Sequence, residues 1–325
     1  MRNVSLRQLR VFAAVARHES YTRAARELHL TQSAVSQQVK LLETEAGLPL
    51  FEQIGRRVRL AAAGSELLRY ATQTLETVRE AGEALAAMRG LRRGVLKLGA
   101  VSTAKYFAPS LLAQFRPAYP EVTINFAVGN RWEIVRQLAA NEVDLVIMGR
   151  PPRELRTVAE AFAKNPLVLI AAPSHPLAAR RHIRLKQLAS ESFIIREQGS
   201  GTRAAMERVF RERGVPMRVA MEVSSNETIK QAVMAGMGVS FISAHTVGLE
   251  RAVGKLVVLD VVGMPVVRDW YVIHLHAKRL SPIAAAFRGF LLERGGAIIR
   301  AAVGELSAGG SAAPARPKSP RRAAG

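Results

Sequence analysis

From Val95 to Met148 the chain alternates short apolar runs with amphipathic stretches. Val95–Val101 reads as a strand, and a helix opened near Ser102-Thr103 continues from Pro109 to Tyr119. Val122–Val128 alternates as a second strand, Asn130–Ala140 has helical spacing, and Val143–Met148 is a strongly apolar third strand. Strand-helix-strand order of this kind demands a parallel sheet with right-handed crossovers, because each parallel neighbour needs a return connection across the face. A second set follows: strands at 166–172, 192–195, 218–223 and 238–242, with helices at 201–213 and 225–236. Trp270–His276 and Pro282–Leu292 read as a last strand and helix that return to the first set.

Two α/β lobes joined by crossing connections describe a hinged two-lobe binding module, like periplasmic solute receptors. Ligands of such folds sit at strand C-termini and helix N-termini. Those positions are Ser102-Thr103, Gly129-Asn130, Gly149-Arg150, the run Arg196–Arg203 (REQGSGTR) and Ser224-Ser225-Asn226. Gly199-Ser200-Gly201-Thr202 could form an anion nest at a helix N-terminus; read more simply, these hydroxyls are helix caps. With Lys105, Arg150, Arg196 and Arg203 close to the same ends, a small anionic ligand carrying phosphate or carboxylate is expected.

The N-terminal segment, 1–62, has a different pattern. Leu6, Leu9, Val11, Phe12, Val15 and Ala16 recur at helical spacing behind Ser5, a suitable N-cap. TRAARELH follows as a short helix, with Thr22 as its expected cap, and Thr31 opens a third helix that Gly47 stops. Two helices joined by a tight turn make a helix-turn-helix. The outer face of the third helix carries Gln32, Ser33, Ser36, Gln37 and Lys40. Amides and hydroxyls both donate and accept, which suits base edges; the plainer alternative is a solvated face. Gly55-Arg56-Arg57-Val58-Arg59 then fits a hairpin wing, whose arginines can reach phosphates or a narrow minor groove. The balance of 47 Lys and Arg against 26 acidic residues, net +21, agrees with a polyanionic partner, nucleic acid first and anionic membrane second.

Residues 63–92 read as one long linker helix. Leu68, Ala71, Leu75, Val78, Gly82 and Leu85 form a heptad seam, which fits either helix pairing between two chains or packing on the same chain. Gly90–Gly94 breaks it as a hinge to 93–302, and 303–325 is too poor in large apolar groups to fold, so a disordered basic tail is expected.

LRQLRVFAAVARHESYTRAARELHLTQSAVSQQVKLLETEAGLPLFEQ resembles the N-terminal domain of LysR-type transcriptional regulators. VSTAKYFAPSLL, DLVIMGRPP, REQGSGTRAAMERVF and SNETIKQAVMAGMGVSFIS resemble the subgroup that regulates RuBisCO and Calvin-cycle operons. The resemblance implies a winged helix-turn-helix on a dimerising linker helix, followed by a two-lobed effector domain of periplasmic-binding-protein type. It implies double-stranded promoter DNA, RNA polymerase, a phosphorylated or nicotinamide-type effector, and homodimers paired as a homotetramer. Expected DNA contacts are Thr22, Arg23, Thr31, Gln32, Ser33, Ser36, Gln37, Lys40, Arg56, Arg57 and Arg59. Expected effector contacts are Ser102, Thr103, Asn130, Arg150, Arg196, Ser200, Thr202 and Asn226; the family uses the positions of Thr103, Asn130 and 196–202. Two departures stand out: Ser33 where many members have Pro, and Ala61 where a Thr would cap the next helix, a loss of roughly 0.5–2 kcal/mol.

An enzyme is the rival reading. The chain has no Cys, which removes zinc-finger, iron–sulfur and thiol chemistry. His274 and His276 lack a third metal ligand, no Ser sits in a nucleophile elbow with a visible base, and no cofactor motif is present. A periplasmic receptor is the other rival, but it would have no use for 1–62. MRNVSLRQLR lacks the apolar core of a signal peptide and no apolar run nears ~18 residues, so a cytoplasmic protein without membrane spans is expected.

Overall fold

The structure, a computed structural model, describes residues 3–54, 57–88 and 94–303. It opens with α1 (Leu6–His18), α2 (Tyr21–Glu27) and α3 (Gln32–Ala46). Ser5 caps α1 in a reciprocal box with Gln8, Thr31 caps α3 by accepting from the Ala34 amide, and Gly47 ends it in the left-handed region at φ 69°. The cap of α2 is Ser20 rather than Thr22: the extended backbone of Ser20 lets its hydroxyl accept from the Arg23 amide, which leaves Thr22 exposed in the first turn. Val11, Val15, Ala24, Ala25, Val35 and Val39 pack together, and the small Ala pair lets α2 approach its neighbours.

β1 (Phe51–Ile54) and β2 (Arg57–Leu60) form the antiparallel wing, with Phe51 opposite Leu60. α4 (Ala62–Met88) leaves the wing under a close contact: a Cβ on Gly64 would stand 2.0 Å from the Leu50 carbonyl oxygen. The seam on α4 divides. Ala71 is buried, and Leu68 and Leu75 are half-buried against Leu9, Phe12 and Leu42 of the same chain. Val78, Gly82 and Leu85 are exposed.

Beyond it, β3 (Gly94–Val101) runs parallel to β4 (Val122–Gly129) on one side and to β5 (Leu145–Met148) on the other. The connections are α5 (Ala108–Phe115) and α6 (Arg131–Ala139). Residues Ala104–Tyr106 form a separate 3₁₀ turn, and α5 begins only at Ala108, where Pro109 occupies the first turn and needs no hydrogen-bond acceptor. β6 (Thr157–Ala171) starts nine residues before the apolar run at 166–172 that marks it in the sequence. Then come β7 (Ser192–Arg196), α7 (Gly201–Glu212), β8 (Arg218–Val223), α8 (Asn226–Met234), β9 (Ser240–Ser243), α9 (Gly248–Ala252), β10 (Val257–Val258), β11 (Val266–Leu275) and α10 (Pro282–Phe290). A π-helical turn at Leu291–Gly295 leads into α11 (Gly296–Val303).

One seven-stranded sheet runs β10-β6-β11-β5-β3-β4, with β9 also on β6. β6 and β11 are its long members and pair antiparallel over their length. One end of the pair joins β5, β3 and β4 in the first lobe, whose core holds Leu96, Leu98, Phe107, Leu111, Trp270 and Phe287. The other end joins β9 and, through a bridge from Phe193 to Val239, the parallel β7–β8 pair of the second lobe. Among the described residues no helix is long and apolar enough to cross a membrane. Residues 304–325, where a disordered tail is expected, lie outside the described residues, as does most of the expected hinge.

Candidate nucleic-acid interface and effector cleft

The inward stripe of α3, Val35, Val39 and Leu42, is buried. That fixes the opposite face outward: Gln32, Ser33, Ser36, Gln37 and Lys40 are all exposed. Thr31 and Ser33 face each other across 3.0 Å at the helix start. Thr22 and Arg23 are exposed on α2, the Arg23 guanidinium donating to the His18 carbonyl. Beside them, His18 and Arg17 hold Glu27, and the hydrogen bond from His18 is the main reason its carboxyl lies below the usual range. Arg59 is exposed on β2 opposite Glu52, and Arg57 is placed in register with Ile54; Arg56 lies outside the described residues. The result is a polar, largely uncharged ridge flanked by cations, raised on a rigid three-helix core.

The second site lies between the lobes, where a cleft of about 510 Å³ opens, its mouth included. The first lobe contributes Ser102, Thr103, Arg131 and Arg150; the second contributes Arg196, Glu197, Ser200 and Thr202. Arg268 and Trp270 of β11 line it at the crossing between lobes. Arg196 is buried and fully engaged: it holds both oxygens of Glu197, donates 2.8 Å to Asn226 Oδ1 and reaches Ser102 Oγ at 3.1 Å. Asn226 in turn donates to Thr103 Oγ1. These bonds tie one lobe to the other behind the cleft, so Asn226 stands one layer back rather than on its wall. Tyr106 adds a further tie by donating to Glu227; burial and that carboxylate hold its phenol well above its ordinary range.

The remaining wall is cationic. Arg268 donates to the Gly201 and Gly149 carbonyls, one on each side of the cleft. Arg131 donates to the Arg150 carbonyl. Burial pulls both guanidinium groups below their usual range, and the neighbouring Arg150 pulls the same way. The Arg150 side chain is exposed and has no hydrogen bond or ion pair among the described residues. Among the described residues Glu197 is the one carboxylate on the wall, and Arg196 already holds it. Ser200 precedes α7 without capping it by its side chain, and Ser200, Gly201 and Thr202 all line the cleft.

Asn130 does not join this group. Its side chain accepts from the Glu133 amide in a reciprocal cap of α6, and the next residue, Arg131, reaches the cleft instead. Arg131, Arg268 and Trp270 escaped the sequence reading. An Arg within the apolar β11 pattern VVRDWYVIHL was the available signal for Arg268. Behind Trp270, His245 accepts its indole N–H, and burial lowers the imidazole to about 4.

Residues 6–65 match the bacterial regulatory helix-turn-helix protein, lysR family, and residues 89–296 match the LysR substrate binding domain. The chain belongs to the LysR family. It is a DNA-binding transcriptional regulator of that family and not an enzyme. The RuBisCO operon transcriptional regulator of Allochromatium vinosum is 52% identical over 290 residues, covering 89% of this chain and 96% of that protein. The HTH-type transcriptional regulator CfxR of Cupriavidus necator is 48% identical over 293 residues, 90% of this chain and 92% of that one. Among solved structures, full-length CbnR complexed with its target DNA superposes with a TM-score of 0.66 at 26% identity, over 89% of this chain and 99% of CbnR. The CcmR regulatory domain of Synechocystis PCC6803, in complex with 2-PG, has 42% identity and a TM-score of 0.59 over 61% of this chain and 96% of that one. LysR regulators bind promoter DNA and small-molecule effectors.

Proposed function

We propose that this chain regulates transcription of a RuBisCO operon in response to a small phosphorylated or nicotinamide-type anion. The observation that carries the reading is the 52% identity to a RuBisCO operon regulator, sustained across both the DNA-binding and effector regions. In the mechanism proposed, α3 enters the major groove with Gln32, Ser33, Ser36 and Gln37 at base edges. Lys40, Thr22, Arg23, Thr31 and the wing arginines 56, 57 and 59 hold the backbone. The exposed Val78 and Leu85 on α4 meet a second copy, which spaces two heads for a two-fold site; two such dimers make the tetramer.

The effector is proposed to sit between Arg131, Arg150, Arg268 and the start of α7, with Ser102, Thr103, Ser200 and Thr202 as hydroxyl partners. An anion there answers an excess of positive charge that the described protein groups leave unbalanced. Because the wall comes from both lobes, the ligand favours the closed arrangement, and its differential affinity for the two arrangements is what shifts DNA geometry and contact with RNA polymerase. The complex of CcmR with 2-PG makes 2-PG the first compound to offer.

A gel-shift comparison tests the reading. The full chain should retard a RuBisCO promoter fragment, a protein of residues 93–325 should not, and an anionic metabolite should alter the full chain's complex. Retardation by 93–325 alone, or response only to neutral compounds, would overturn it.

A further inference from the structure

Where α4 meets the first lobe, six charged side chains cluster, three of them buried and three partly open to water. Glu76, Arg79 and Glu80 come from the helix; Lys97, Asp144 and Lys278 come from the lobe. Lys278 Nζ lies 2.8 Å from Asp144, 3.4 Å from Glu80 and 3.9 Å from Glu76, and also donates to Asn141. Lys97 Nζ is 2.6 Å from Glu76, Arg79 pairs with Glu76, and Arg79 stands 3.4 Å from Asp144. Asp144 is fully buried, Lys278 is 3% exposed and Glu76 7%. Among the described residues three acids and three bases cancel, while every member depends on its partners. Glu76 shows the balance: burial works to raise its carboxyl, and Arg79 and Lys97 overcome that and lower it. The three carboxylates stand close enough to share a cation, and the Lys278 ammonium is the cation they share.

The position of the cluster matters more than its strength. Lys97 is in β3, which ends at Ser102 and Thr103 in the cleft. Asp144 immediately precedes β5, which ends at Met148, Gly149 and Arg150 in the cleft. Lys278 follows β11, whose other end carries Arg268 and Trp270 in the cleft; β11 runs antiparallel to β5, so its C-terminal end lies at the cluster. Three of the strands that reach the cleft, β3, β5 and β11, thus carry or adjoin a cluster residue, five residues or about 16 Å from the cleft along β3 and β5. On the other side, α4 is continuous with the head through Ala71 and Leu75, which pack on Leu9 and Phe12.

We infer that this six-charge cluster is the joint between cleft and DNA-binding head: it seats α4 on β3, β5 and β11, three strands that run on to the cleft. A shift along those strands changes charge spacing in the cluster, and its buried members Asp144, Lys278 and Glu76 respond sharply to spacing because they have no water to fall back on. The residues act by positioning, since none of them lies on the cleft wall. The inference holds for any effector class, so its test needs no ligand.

The test is hydrogen exchange on the full-length oligomer, with Lys278→Met, Lys278→Arg and Glu80→Gln beside wild type, each in a Trp132→Phe background so that acrylamide quenching reads Trp270 alone. Lys278→Met should raise exchange about tenfold in 73–82 and also in 145–150 and 268–271 with the paired 161–165 of β6, and should alter Trp270 quenching, while 172–260 stays as in wild type. Lys278→Arg should restore both readouts. Should Lys278→Met fail to fold, Glu80→Gln, which removes one charge and keeps the shape, should show the same pattern in smaller degree. Changes confined to 141–144 and 275–279, or none in either variant, would overturn the inference.

Discussion

Arg150 offers a clean perturbation of the cleft, because its side chain bonds to no described group and leaves nothing unsatisfied when removed. Its neighbour Arg268 does not: losing that guanidinium would orphan the Gly149 and Gly201 carbonyls together. An anion about 4 Å from Arg150 would gain ~1 kcal/mol at the dielectric of water and ~4 kcal/mol at that of a protein surface. A half-open cleft falls between, and a charge-assisted hydrogen bond is worth ~1.5–3 kcal/mol. Arg150→Gln should therefore weaken a bound phosphorylated anion by roughly 10- to 150-fold, with the penalty shrinking as salt is raised. Calorimetric titration of wild type and variant at two ionic strengths measures it, with thermal unfolding as the control. An affinity within twofold of wild type, or a loss matched by a large fall in thermal midpoint, would refute the assignment of Arg150 to the anion.

Gln32→Ala should cost ~1–3 kcal/mol in specific DNA binding while sparing nonspecific binding, read by competition with unrelated duplex; unchanged sequence preference would remove α3 from the groove. Gly64→Ala should destabilise the head by ~1–3 kcal/mol in denaturant titration, since the new methyl meets backbone that cannot yield. His245, lowered to about 4 by burial, binds fewer protons folded than unfolded between that value and about 6.5. Stability should therefore fall as pH drops through this window, by ~3 kcal/mol in full; His245→Gln, which keeps an acceptor for Trp270, should flatten the dependence, and an unflattened curve would assign the acid sensitivity elsewhere.

The β-α-β-α-β order was legible because β5, buried on both faces, reads as an unbroken apolar run, while β3 and the edge strand β4 keep strand-like patterns between helical stretches. The first half of β6 was not: TVAEAFAKN is mixed in polarity, and its strand state comes from pairing with β11, which lies more than a hundred residues away. Strand-end logic placed Ser102, Thr103, Arg150, Arg196, Ser200 and Thr202 near a cleft, and all six line it. It failed at Asn130, where a local cap outcompeted the cavity, and it could not see Arg268, which arrives from a crossing strand rather than a strand end. The heptad seam on α4 was visible, yet spacing alone does not say which partner covers which turn; packing on α1 claims its first half. The charge cluster left no sequence pattern, because its six members come from four separate stretches of chain.

The central claim is that the Gln- and Ser-rich face of α3 reads a duplex while the arginine-lined cleft adjusts that grip. Nuclease footprinting of the full chain on a RuBisCO promoter, titrated with small phosphorylated anions, addresses both halves at once. The account predicts a protected site with dyad symmetry whose extent or bend-induced hypersensitivity changes on adding the anion, and an Arg150→Gln protein that protects the site but does not respond. Absence of protection at low ionic strength, or an anion response that persists undiminished in Arg150→Gln, would contradict it.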